Sequence, residues 1–121
     1  MADASSQNVQ SLDFPLSLAA THIAVIDIGA YVNRSTATRR AQVAYGDRPK
    51  KWLNPFDLYL KAYRPRAADL AKTNSPQVLT TLVGKSWKME SADLRARYTA
   101  WGETEKANHY IAHPPAVPQG Q

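Results

Sequence analysis

From residue 52 onward, apolar positions recur at helical spacing in three stretches separated by breakers. The first runs from about Asn54 to Lys72. Asn54 suits an N-cap, because its side-chain oxygen can accept from an amide of the first turn, and Pro55 suits the first helical position. Leu53, Phe56, Leu58, Tyr59 and Leu60 call for burial, with Asp57 standing among them. Pro65 should end or kink this helix, since proline lacks the amide and crowds the preceding turn. The second stretch follows "TNSP". Ser75 caps it, Pro76 takes the first position, and Val78, Leu79, Leu82 and Val83 form its stripe up to about Lys88. After the break "MESAD", Ser91 caps a third stretch from Ala92 to about His113, with Leu94, Tyr98, Trp101, Glu105 and Ile111 near one face. The tail "PPAVPQGQ" cannot continue a helix and is expected to be extended or disordered.

Upstream, the period changes. "HIAVIDIGAYV", 22 to 32, is rich in β-branched residues and apolar on both sides of Asp27, which predicts a short buried strand. Residues 33 to 51 are polar and basic, with Gly46 and Pro49 as breakers. They predict a linker with a helical turn around Thr38 to Ala44. Residues 1 to about 15 are small and polar and are expected to be disordered. No internal repeat is present. Three helices in so short a span make a small core, so Phe56, Tyr59, Trp87, Tyr98 and Trp101 must supply much of its buried area.

At 121 residues the chain has room for one small domain. It contains no cysteine, which excludes disulfides and thiolate metal sites. The histidines are His22, His109 and His113. His109 and His113 share a helical spacing, but no glutamate of a zinc-protease motif stands between them. No apolar run approaches a membrane span, and the start has no signal-peptide pattern. The sequon at Asn33 carries little weight without one. Charge does change the picture. Residues 1 to 49 are balanced, whereas residues 50 to 121 hold eleven basic and six acidic residues, which is the whole excess of +5. A basic region beside a neutral one points to a polyanionic partner, nucleic acid above all.

Motifs that resemble catalytic signatures fail on context. "VIDIGA" looks like the phosphate strand of the actin and sugar-kinase fold, which needs several hundred residues. "GKS" at 84 to 86 looks like the end of a Walker A loop, but Leu79 occupies the place of its first glycine. The carboxylates Glu103 and Glu105, or Glu90 and Asp93, suit a solvated face or a helix terminus. An enzyme is not expected, nor are a cofactor, a bound metal, a small-molecule substrate or a membrane partner.

Three quoted stretches carry a family resemblance. "DRPKKWLNPFDLY" (47 to 59), "LVGKSWKMES" (82 to 91) and "RARYTAWGETEKANHYIAHP" (95 to 114) resemble the HMG box, and within it the fungal mating-type regulators. Asp47, Arg48, Lys50, Lys51, Asn54, Phe56, Leu58 and Tyr59 match the basic lead-in strand and the start of the first helix. Gly84, Trp87, Lys88 and Ser91 match the junction of the second and third helices. Tyr98, Lys106, His109 and Pro114 match the third helix. The match needs no gap from Asn54 to Pro114 and covers about half the chain; residues 1 to 46 match nothing.

The resemblance implies an all-α fold, a three-helix L-shaped HMG box over 47 to 115 with an extended basic lead-in strand. Residues 1 to 46 would precede it and 116 to 121 would form a tail. Helices one and two would make a short arm, and helix three with the strand a long arm, with Trp87 at the corner. It implies a nuclear regulator of transcription, controlling mating-type or sexual-development genes. Such a protein enters the minor groove of double-stranded DNA, wedges an apolar side chain between base pairs and bends the duplex. Another mating-type regulator would be a second partner. By position, Arg48, Lys50 and Lys51 fall on the strand's backbone contacts, Asn54 on a base-edge contact, and Phe56 beside the wedge. Tyr59, Lys61 and Arg64 fall on helix one, the last two at phosphate contacts, and Gln77 and Thr80 where helix two faces the groove. Against these stand plainer roles: a solvated basic face for the cations, an N-cap for Asn54, core for Phe56. Asp57 occupies the wedge position itself, where a carboxylate would resist stacking and repel phosphates. Trp52, Pro65 and Pro76 also depart from the family pattern. A box used mainly for protein interaction, with weak or non-specific DNA binding, is therefore the alternative.

Overall fold

The computed structural model describes residues 17–115. Every regular element among them is helical, so the described chain is all-α. Three short helices, α1 (Leu18–Thr21), α2 (Ile28–Val32) and α3 (Thr36–Ala41), precede three longer ones, α4 (Pro55–Ala71), α5 (Pro76–Met89) and α6 (Ala92–Ala112). The expectations for residues 1 to about 15 and for 116 to 121 lie outside the described residues.

The long helices start where the capping residues are. Asn54 Oδ1 accepts from the Asp57 amide (2.8 Å), and Pro55 occupies the first turn of α4. Ser75 Oγ accepts from Val78 (3.4 Å) at α5, and Ser91 Oγ from Leu94 (3.1 Å) at α6. Lys72 closes α4 in the left-handed region (φ 58°) while its amide reaches back to Ala68 O (2.9 Å).

α4 is the central element, and both α5 and α6 pack against it. Leu58, Tyr59, Ala62, Tyr63 and Ala67 of α4 are buried against Leu79, Leu82 and Val83 of α5 and Tyr98 of α6. The i, i+4 spacing of 58/62, 59/63 and 63/67 makes one continuous inward face. Aromatic rings tie the three helices together: Tyr59 lies 4.9 Å from Trp87 and 5.5 Å from Tyr98, and Tyr98 lies 5.0 Å from Trp101. At the crossing of α6 over the start of α4, Gly102 is required. A Cβ there would come within 2.9 Å of Pro55 Cγ.

Three features of the sequence read differently in three dimensions. Residues 22 to 32 do not form a strand; residues 28 to 32 are α2, and no strand occurs among the described residues. Asp27 sets this outcome, accepting from the Ala30 amide (3.0 Å) as an N-cap, while Ile28 and Val32 one turn apart turn inward. The β-branched residues before them are not buried on two sides, as Ile23 is 82 % and Val25 40 % exposed. Second, α4 runs through Pro65 rather than ending there. Pro65 is exposed while Ala62, Tyr63 and Ala67 on either side are in the core, and Ala62 O gains a bond from the Val25 amide (2.9 Å). Tertiary packing outweighs the proline's local cost. Third, Ile111, expected inward, is 60 % exposed, whereas the helical turn expected around Thr38 to Ala44 is present as α3, which overlaps it.

Residues 18, 28 and 32 belong to the same core as the long helices. α1 packs on α4, and α2 and α3 pack on α6.

Candidate nucleic-acid interface

The segment before α4 has no regular structure, yet it is anchored. The Trp52 ring lies 5.6 Å from His109 and 5.0 Å from Tyr110, so the chain is laid along α6. The ammonium groups of Lys51 and Lys106 sit 5.4 and 5.5 Å from the Trp52 ring centroid. This is cation–π geometry, in which the ring's electron-rich face attracts the charge. Partial burial, together with the neighbouring His113, holds the His109 imidazole below its ordinary pKa. Leu53 turns inward while Arg48, Lys50 and Lys51 remain exposed.

Among the described residues, no ion pair takes up the cations of this segment. The ion pairs recorded among the described residues are Arg39–Glu105 (2.6 Å) and Arg34–Glu105 (3.4 Å). Arg48, Lys50, Lys51, Lys61 and Arg64 therefore have no carboxylate partner among the described residues. Arg48, Lys50 and Lys51 line an open cleft of about 320 Å³ together with Tyr31, Trp52 and His113. Lys61 and Arg64 lie on α4, exposed and half-buried, and the Lys61 ammonium sits 4.8 Å from the Tyr31 ring.

At the start of α4, Asn54 and Asp57 form a reciprocal capping box. Asn54 Oδ1 takes the Asp57 amide (2.8 Å) and Asp57 Oδ2 takes the Asn54 amide (3.4 Å). This explains a carboxylate at that position: it satisfies an orphan donor and lies at the positive end of the helix dipole. Asn54 is exposed, and its NH2 has no recorded protein partner among the described residues, so a donor remains for a ligand. Phe56 is half-buried, edge-on to Trp87 (6.3 Å) and against Gly84.

Tyr59 does not belong to any interface. It is 0 % exposed, so it cannot reach DNA. Its hydroxyl lies 2.6 Å from Ser86 Oγ and donates to the Glu90 carboxylate. Burial first, then the bond to Glu90, pushes its pKa far above the ordinary phenol value, so it stays neutral. Burial does the same to Tyr98.

Gln77 and Thr80 are exposed in the first turns of α5, with Gln77 Oε1 accepting from Ser75 Oγ (3.3 Å). They are not joined to Phe56, which meets the later part of α5 at Gly84 and Trp87. The candidate residues thus fall into groups: the lead-in cations along α6, the cap and Phe56, the α4 cations, and the start of α5. Sequence reasoning passed over Trp52 as an anchor and Lys106 as a surface cation beside it. Their signal was the placing of Lys106, His109 and Tyr110 three and four residues apart on one helical face.

Among the described residues no three His, Cys, Asp or Glu side chains group to hold a metal, and no helix is long and apolar enough to cross a membrane. No family model, curated protein or solved structure matches the chain.

Proposed function

We propose that this chain is a nuclear DNA-binding regulator of transcription that engages the minor groove and bends the duplex, in the manner of an HMG box. On this reading α4 and α5 form the short arm of an L, and α6 with residues 47 to 53 forms the long arm. Mating-type or sexual-development genes are the targets the resemblance favours. One observation carries the reading: the lead-in cations Arg48, Lys50 and Lys51, without carboxylate partners among the described residues, are laid along α6 next to the capped start of α4 and the half-exposed Phe56. Free cations on an anchored segment bind phosphates at little ordering cost and release counterions. With Asp57 committed to the cap, Phe56 is the apolar side chain left to press on the bases.

The same capping box favours a second reading, a box that mainly binds another protein, such as a second mating-type regulator, and touches DNA weakly. A gel-shift titration on AT-rich and mating-type-like duplexes, repeated across a salt series, separates the two. Bending together with affinity that falls steeply with salt supports the first reading. If Arg48, Lys50, Lys51, Lys61 and Arg64 all meet phosphates, the slope of log K against log salt should be about −4.5. No binding near physiological salt leaves the second.

A further inference from the structure

α5 and α6 are joined mainly through α4, on which both pack. The later half of α6 extends past the Gly102 crossing and rests on another support, residues 28 to 40. Arg39, itself buried, pairs with the buried Glu105 (2.6 Å) and donates to Val32 O (2.7 Å). Asn108 donates to Val32 O (2.9 Å), and Arg40 Nε to Ala112 O (3.1 Å). The other end of the same segment holds α4 and α5. The Leu18 amide donates to Ser86 Oγ (2.8 Å) and the Ala19 amide to Glu90 Oε2 (3.2 Å), both within the Tyr59–Ser86–Glu90 cluster. Val25 donates to Ala62 O (2.9 Å), and Arg66 Nε to Ile23 O (3.2 Å).

We infer that residues 17 to 41 are a brace: one end grips α4 and α5, the other grips the later half of α6, and the short span between them fixes the angle at which α6 and its lead-in segment are held. Arg39 and Glu90 are the positioning residues of its two ends. Both ends use charged side chains taken out of solvent, which hold one geometry and lose much of their energy in any other. An angle set before binding removes an ordering cost from the encounter with a ligand. That consequence for DNA rests on the proposed function; the brace itself does not.

The test slackens the span without touching either grip. A short Gly-Ser insertion after Ile26 leaves the α1 contacts and the Asp27 cap in place. Because the chain has no cysteine, Thr81→Cys on α5 and Ala107→Cys on α6 can be spin-labelled alone in the full chain. Pulsed electron resonance on the free protein should give a narrow distance distribution for the parent and one at least about twice as wide for the insertion. Circular dichroism should show the same helix content. An unchanged width overturns the brace, and so does loss of the folded state on insertion, which would show that the packing of Ile26 on the core, rather than the length of the span, is what the fold requires. In a DNA-binding titration the insertion should weaken affinity several-fold with an unchanged salt slope. If the parent binds no DNA while the distances behave as stated, the proposed function fails and the brace stands.

Discussion

At the residue scale, Asp57 is where the structural role and the proposed function meet. Its carboxylate completes the capping box with Asn54, and on the proposed HMG-box reading the same residue stands at the wedge position. The two roles separate by substitution. Asp57→Ile should cost about 0.5–1 kcal/mol in thermal unfolding, through the lost cap, and yet strengthen DNA binding and increase bending. Binding no tighter than the parent's would place Asp57 outside the wedge position. Asn54 separates in the same way. Asn54→Ser keeps an N-cap and should leave unfolding nearly unchanged, while Asn54→Ala should cost about 1 kcal/mol. If Asn54 also reads base edges, both should lose DNA affinity, and an Asn54→Ser protein that binds like the parent would reduce it to a cap. His109 adds a pH dependence. Its folded pKa lies below the ordinary imidazole value, so the unfolded chain takes up a proton first on acidification. Stability should be unaffected above the ordinary pKa and fall as pH drops through about 6.5. A melting temperature that drops less over that range in His109→Gln would confirm the assignment.

At the element scale, the long helices were readable from local chemistry. Asn54, Ser75 and Ser91 start them, and Pro55 and Pro76 sit in their first turns. The rest was hidden for a physical reason: it depends on charged side chains inside the protein. Arg39, Glu90 and Glu105 look like surface residues in one dimension, and only long-range pairing makes their burial tolerable. The apolar stretch 22 to 32 suggested a strand because β-branched residues favour one, but the capping carboxylate of Asp27 starts a helix in its second half. In the candidate site, the lead-in cations, Asn54 and Phe56 were legible as sequence motifs. That Tyr59 faces inward was legible in the apolar pattern, and only the family resemblance set it among the DNA contacts. The buried pair yields a stability prediction. Arg39→Ala should destabilise by about 3–5 kcal/mol, since it strands the Glu105 carboxylate away from water. Arg39→Met combined with Glu105→Leu should recover most of that in chemical denaturation; recovery of none would point instead to the Val32 carbonyl that Arg39 also serves.

At the scale of the whole molecule, residues 17 to 46 and the long helices share one core, with Leu18, Ile28 and Val32 packed among the residues of α4 and α5. The basic surface lies on the segment between these two parts, and it carries the functional account. The most direct test compares the salt dependence of DNA binding for the parent and for Lys50→Gln with Lys51→Gln, by fluorescence anisotropy on one AT-rich duplex. Both lysines are exposed and outside the core, so the helices should be unaffected, and Lys106 keeps its place over the Trp52 ring when Lys51 leaves it. The double variant should form a weaker complex whose slope of log K against log salt is shallower by about 2, one unit for each phosphate no longer neutralised. An unchanged slope, or no binding by the parent even at low salt, would contradict the proposed function.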